Sequence, residues 1–297
     1  MGEKPLISVL NITNRAGGMD ILRANMARQT FTDFELVIVD GRWRKRRQDV
    51  KDYFVNFPLT YVRQSEKRKG AYSNLAHADN EGFSACQGEL IVLLQDYIWI
   101  PPLTLSKFWE AHQALGGKAL ISGIGHQYAK PGKEQIEQPE GLITIFAGEY
   151  RSEPTEICWR DPRVRTDQGT FYESQAQDWE ANFAAIPRAV IYDLGGMDEE
   201  YDMVGFAYDN VNIAQRAVLA GYKTYLDQTN ECKAFAHDLW NMSAGKKERA
   251  SEIAQFHLQR MKNIIEGKFP LRLDYLAEKG YKESKGESSE KEKPDKI

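Results

Sequence analysis

Four short apolar runs, at residues 6–12, 34–39, 59–62 and 90–94, are separated by stretches whose apolar residues recur at helical spacing. This alternation constrains the fold more than any other feature. A strand that leads through a helix to the next strand must cross over and return parallel to the first. The runs are apolar at successive rather than alternate positions, the pattern of strands covered on both faces. Helices are predicted over 20–29 (Ile21, Leu22 and Met26 on one face), 48–54 and 73–86. In parallel sheets ligands bind beyond the carboxyl ends of the strands. The polar groups there are Thr13, Asn14 and Arg15, then Asp40, then Gln95 and Asp96. All belong on one rim.

The second half is less regular. Residues 127–178 are rich in Gly, Pro and charge and read as loops or a β-excursion. A short strand at 184–186 leads to Pro187 at a helix start, where its missing N–H is harmless. Gly195-Gly196 ends that helix. Val211, Ala214 and Val218 mark another, closed by Gly221. Residues 245–266 carry Ile253, Phe256, Leu258, Met261, Ile264 and Ile265 near helical spacing. The stretch 279–297 is almost wholly Lys, Glu, Ser and Gly and cannot offset its chain entropy by burial, so it reads as a disordered tail. The expected organisation is therefore an α/β half at 1–125, a less regular half at 126–243, a C-terminal helical segment at 244–278 and the tail.

Composition narrows the class. With 297 residues, 42% hydrophobic and 28% charged, the chain can bury a sizeable core without staples. A net charge of −4 argues against bulk attraction to nucleic acid or an anionic membrane. No apolar run approaches the roughly 20 residues of a membrane span. Cys86, Cys158 and Cys232 form neither a disulfide framework nor a zinc pattern, which points to a reduced, cytoplasmic compartment.

Each polar candidate has two readings. Asp40, before Gly41, is either a turn residue or an acceptor for a base or ribose at the sheet edge. Asp96 is either a solvated strand end or the single carboxylate that Mg²⁺ or Mn²⁺ needs beside phosphate oxygens. Asp209 is either a helix-dipole partner or a general base. His237 is either structural or a neutral imidazole completing a metal site with Asp96. Arg42, Arg44, Lys45, Arg46 and Arg47 surround Trp43, as a solvated face or as a grip on phosphate or single-stranded nucleic acid. No P-loop and no nucleophile elbow occur.

The order of these segments resembles family 2 glycosyltransferases of the GT-A fold. Ile7-Ser8-Val9-Leu10-Asn11-Ile12-Thr13-Asn14-Arg15 is similar to that family's first strand and turn. The stretch from Gln29 to Gly41 resembles its second strand and base-binding Asp. Asn80-Glu81-Gly82 and Ala85-Cys86-Gln87-Gly88-Glu89-Leu90-Ile91 resemble the approach to its D-x-D motif, here Leu94-Gln95-Asp96. Gly195-Gly196-Met197-Asp198-Glu199, Asp209-Asn210, Arg216 and Ala220-Gly221-Tyr222 resemble its acceptor block. Three acids of the family pattern are altered, at Leu94, Gly41 and Asn210.

The resemblance implies an α/β, Rossmann-like, mostly parallel sheet flanked by helices, with a small acceptor-side subdomain. It implies transfer of a sugar with inversion from a UDP- or GDP-sugar to a glycan, lipid-linked or other hydroxyl acceptor. Asp209 would be the base, and Thr13, Asn14, Arg15, Asp40, Gln95 and Asp96 would hold the donor. Asp96 with His237 would bind Mn²⁺ or Mg²⁺. Trp179, Glu180, Asp198 and Glu199 would line the acceptor side, with Trp99 a further wall. Two rivals stand beside it: a nucleotide-sugar or carbohydrate-binding protein without turnover, and a transferase directed at nucleic acid through the Arg42–Arg47 cluster.

Overall fold

Strand β1 (Ile7–Thr13) is buried at six of its seven positions, with β2 (Phe34–Asp40) on one side and β4 (Leu90–Leu94) on the other. The computed structural model describes residues 4–128, 143, 156–205, 208–235 and 240–278, without the side chains of 235 and 240–248. The expected tail at 279–297 lies outside the described residues. Strand β3 (Leu59–Arg63) flanks β2 at the sheet edge. Beyond β4 come β9 (Phe183–Pro187), β6 (Ala119–Tyr128), β10 (Lys223–Phe235) and β5 (Ile98–Trp99), completing the order β3-β2-β1-β4-β9-β6-β10-β5. On this path only β9 and β5 run against the others. Two short strands, β7 (Ile157–Trp159) on β6 and β8 (Phe171–Glu173) on β10, form the described part of the β-excursion.

Because successive strand residues point to opposite faces, each buried strand feeds two cores. Ile7, Val9, Leu36, Ile38, Leu90 and Val92 pack on one face against α1 (Met19–Arg28), α2 (Trp43–Tyr53) and α4 (Thr104–Ala114). Leu10, Val37, Val39, Ile91 and Leu93 pack on the other against α3 (Leu75–Ala85), α5 (Arg188–Leu194) and α7 (Asp209–Leu219). A four-residue helix α6 (Tyr201–Val204) precedes α7, while α8 (Trp240–Ile265) and the short α9 (Tyr275–Glu278) follow β10. No helix among the described residues is long and apolar enough to cross a membrane.

Two boundaries differ from the sequence reading for identifiable reasons. Helix α2 starts at Trp43, not at 48, because a short basic turn precedes the expected helix, the two being separated by a kink at Arg46 (φ −140°). Strand β10 is 13 residues long and slips register between Asp227 and Glu231, a bulge that no hydrophobic alternation announces.

The turn after α5 depends on glycine. Gly195 is left-handed (φ +71°), and a Cβ there would lie 1.4 Å from the Leu273 carbonyl oxygen; Gly221 (φ +93°) has nothing within 4 Å. Gly195→Ala is expected to destabilise by about 3 kcal/mol or more, and Gly221→Ala by about 1 kcal/mol, the left-handed penalty alone. Denaturant melts of the two variants check the ranking.

Candidate active site

The carboxyl ends of β1, β2 and β4 bring Thr13, Asp40 and Asp96 onto one rim. Thr13 is paired with Asp40 in the β1–β2 register, and its hydroxyl donates to Asp96 Oδ2 at 2.8 Å. Arg15 lies along the same edge: its guanidinium stacks 4.8 Å over the Tyr97 ring, and Nη1, 4.0 Å from Asp96, has no hydrogen-bond partner. Burial pushes the Asp96 carboxyl above the usual carboxylate range, and the nearby Arg15 charge and Thr13 hydroxyl oppose that shift. Tyr97 adopts a left-handed backbone (φ +63°) and packs flush on Gly18, where a Cβ would come within 3.0 Å of the ring. Gln95 is partly buried, with its N–H donating to the Asn182 carbonyl at 2.9 Å. Asn14 is exposed and its carbonyl accepts from Arg42 Nε at 2.9 Å.

Asp40 corrects a sequence expectation. Its side chain is 0% exposed, so it offers no free oxygen to a ligand. Arg46 chelates it through Nε at 2.7 Å and Nη2 at 3.0 Å, the Arg42 N–H donates at 2.7 Å, and the Tyr61 hydroxyl donates as well. At the exposed Gly41 a Cβ would meet Gln64 Oε1 at 2.6 Å and Asn14 Oδ1 at 2.7 Å, so the ends of those two side chains would have to shift for a second acid. Within the basic cluster Arg46 is internal and Arg47 covers the Trp43 ring at 4.7 Å, leaving Arg44 and Lys45 solvated.

Across the sheet, Asp209 opens α7 and is 7% exposed. Two buried acids that sequence reasoning passed over stand near it. Asp202 caps α3, accepting from the N–H groups of Leu75 (2.8 Å) and His77 (3.0 Å) and from the Ser73 hydroxyl (2.5 Å). Asp79, inside α3, is held well above the ordinary carboxylate range by burial, then by the charges of Asp209 and Asp202. A Ser-x-Leu-Ala-His start with the capping acid 125 residues downstream leaves no local sequence signal.

The expected acceptor residues occupy other positions. Trp179 is wholly buried in the second core with its indole N–H unpartnered, so it is not a pocket wall. Trp99, 6% exposed, is buried under the Arg28 guanidinium. Asp198 is buried against Arg260 (2.9 Å), and Glu199 receives Asn80 Nδ2 at 2.9 Å and meets His77 Nδ1 at 2.8 Å. Both acids tie the segment after Gly196 to its neighbours and face no solvent. Glu180 is 46% exposed and 3.9 Å from Arg163, which clamps Asp161 at 2.6 Å. His237 lies outside the described residues.

No protein-family model matches the chain, and comparison with curated protein sequences returns no match. Comparison with solved structures does. Staphylococcus aureus TarS, residues 1–349 in complex with UDP, superposes with a TM-score of 0.52 at 14% identity, covering 77% of this chain and 60% of that one. GalNAc-T7 with UDP, GalNAc and Mn²⁺ superposes at 0.55 and 12% identity, covering 79% of this chain and 44% of that one. The chain thus spans less than two thirds of either neighbour. The likeness establishes the fold: a GT-A-type α/β architecture with a mostly parallel central sheet flanked by helices.

Two variants probe the buried charges. Arg46→Met strands an ionised, wholly buried Asp40 and is expected to cost about 3 to 5 kcal/mol, much of it recovered in Arg46→Met/Asp40→Leu. Thermal melts of both report the coupling. Asp79 has a raised folded-state pKa, so the native state holds its proton longer than the unfolded chain. That group's contribution is lost as pH rises above the unfolded value, about 3.9. Asp79→Asn should therefore raise Tm at pH 7 and change it little near pH 4.

Proposed function

We propose that this chain is an inverting, nucleotide-sugar-dependent glycosyltransferase of the family 2 type. The observation that carries the reading is the rim itself. Asp96 ends the central strand β4, tied to Thr13 and flanked by the unpaired Arg15 donor, on a GT-A-type sheet whose structural neighbours were solved with UDP. Thr13, Asn14, Arg15 and Gln95 hold the donor. Asp40 serves from beneath, by fixing Arg42 and Arg46, instead of touching the base.

The donor set fits a divalent cation in one specific way. Among the described residues no three acids, histidines or cysteines converge as a protein-only metal cage. One carboxylate, Asp96, reaches the rim, which suits a hard cation that takes its remaining oxygens from a diphosphate and water. Such a cation, Mn²⁺ or Mg²⁺, would be held by Asp96 and supplies charge neutralisation on the leaving diphosphate. Arg15 adds a fixed positive charge at the same place.

Asp209 accepts the acceptor hydroxyl's proton as that oxygen bonds to the anomeric carbon, while the carbon–phosphate oxygen bond breaks and its electrons leave with the diphosphate. Its place at the start of α7 sets the carboxylate in the positive end of the helix dipole. The acceptor is a glycan, lipid-linked or other hydroxyl compound, and the setting is cytoplasmic. Nucleic acid is a poor fit, because the basic cluster spends Arg42, Arg46 and Arg47 on internal contacts. The altered acids at Leu94 and Asn210 favour a second reading, nucleotide binding without turnover.

Calorimetric titration with UDP and GDP, with and without Mn²⁺, separates them. Metal-dependent binding that Asp96→Ala abolishes is expected, with sugar transfer cut about 10²- to 10⁴-fold by Asp209→Asn. Nucleotide binding with no turnover of any nucleotide sugar would instead establish the second reading.

A further inference from the structure

Among the described residues only two non-glycine residues have a left-handed backbone, Tyr97 and Tyr208. Each directly adjoins an acid of the proposed site: Tyr97 follows Asp96, and Tyr208 precedes Asp209. Strained backbone of this kind persists only where surrounding contacts over-determine it, and it gathers at functional sites. For Tyr97 the restraining contacts are Arg15 and Gly18. For Tyr208 they come from the far end of the fold.

His257, on α8, is 5% exposed and faces two tyrosines at once. Its Nδ1 lies 2.7 Å from the Tyr201 hydroxyl, and its ring stacks on Tyr208 at 4.7 Å with 19° between planes. Tyr208 is the N-cap of α7; its carbonyl accepts the Asn212 N–H at 2.7 Å and so starts the helix whose first residue is Asp209. Burial lowers the His257 pKa and raises that of Tyr201, which the Asp209 charge also raises. The tyrosine hydroxyl is then the donor and a neutral imidazole the acceptor. Tyr201 and Tyr208 thus flank Asp209, and one imidazole holds both.

We infer that His257 is a positioning residue for Asp209: by stacking on Tyr208 and accepting from Tyr201 it keeps the left-handed turn that aims the carboxylate at the acceptor. This rests on the reading of Asp209 as the base. It gives α8 a role in the reaction that its sequence, an amphipathic closing helix, does not announce.

The test is a double-mutant cycle on the full chain, reading UDP release from a panel of UDP-hexoses and UDP-N-acetylhexosamines beside Tm and UDP affinity. His257→Ala and Tyr208→Gly are each expected to lower kcat about tenfold with donor KM within about twofold, and the double variant to lose no more than either single, the signature of residues acting as one unit. Tyr208→Gly should not lower Tm, since glycine accepts the left-handed turn without strain. His257→Phe, which keeps the stack but cannot accept from Tyr201, should retain more of the rate than His257→Ala and less than the wild type. Multiplicative losses, or a kcat unchanged while Tm falls, would show His257 to be a packing residue only and overturn the inference. Asp209→Asn run in parallel separates the two claims. If it is inactive while the cycle multiplies, only the positioning role fails. If it turns over like the wild type, or if the wild type releases no UDP, the base reading fails and this inference with it.

Discussion

The Arg46 guanidinium is the junction on which the rim at the ends of β1, β2 and β4 depends. It chelates Asp40 at the tip of β2 and donates to the Ala16 carbonyl in the loop after β1 at 2.6 Å, while Tyr61 from β3 shares the same carboxylate. Three parallel strands therefore end on one buried charge pair. A pair so deep contributes less net stability than its short distances imply, because desolvation offsets most of the attraction. What it fixes is geometry. With both oxygens of Asp40 engaged, the loop carrying Thr13, Asn14 and Arg15 has one position relative to β2, and Thr13 is left facing Asp96. The kink in α2 is the local cost of sending Arg46 inward.

A similar economy governs the face that carries α3 and α7, with acids in place of the arginine. Asp202 lies in the first turn of α6 yet caps α3, so the two elements are locked by three backbone N–H groups and a serine hydroxyl. Asp79 lies just inside the helix so capped, against Asp209. Two carboxylates in one buried setting do not both ionise easily, and burial with the charges of Asp209 and Asp202 holds the Asp79 carboxyl well above the ordinary range. Arg216 completes the region from below, donating to the Leu194 (2.9 Å) and Gly196 (2.5 Å) carbonyls at the end of α5. These contacts span sequence separations of twenty to more than a hundred residues.

That separation explains what could be read beforehand. The apolar runs at 34–39 and 90–94 announced β2 and β4 because burial on both faces writes itself into composition residue by residue. Gly195 and Gly221 announced helix ends for an equally local reason, the left-handed backbone. The rim position of Thr13, Asp40 and Asp96 followed from strand ends alone. What a carboxylate touches was not legible. Asp40, Asp198 and Glu199 look like ligand-facing acids in sequence, and their partners Arg46, Arg260 and His77 are recognisable only in three dimensions. Trp179 misleads in the same way, since an aromatic beside an acid reads as a sugar platform until its 0% exposure is known. The reversal of β9 is likewise a matter of which strand lies next to β4, not of any residue within it.

The altered positions stand in different surroundings. Leu94, aligned with the first D-x-D position, is 3% exposed in the core beneath the rim, where an aspartate would be a buried charge without a partner. Gly41 is exposed, with the ends of the Asn14 and Gln64 side chains close over it, so an acid there would have to displace them. Asn210 stands one residue into α7, partly exposed in a first turn that favours acids, and nothing in the packing explains its lost charge. Leu94 is therefore the one change that burial dictates, while Asp96 and Asp209, the acids on which the proposed reaction rests, are retained.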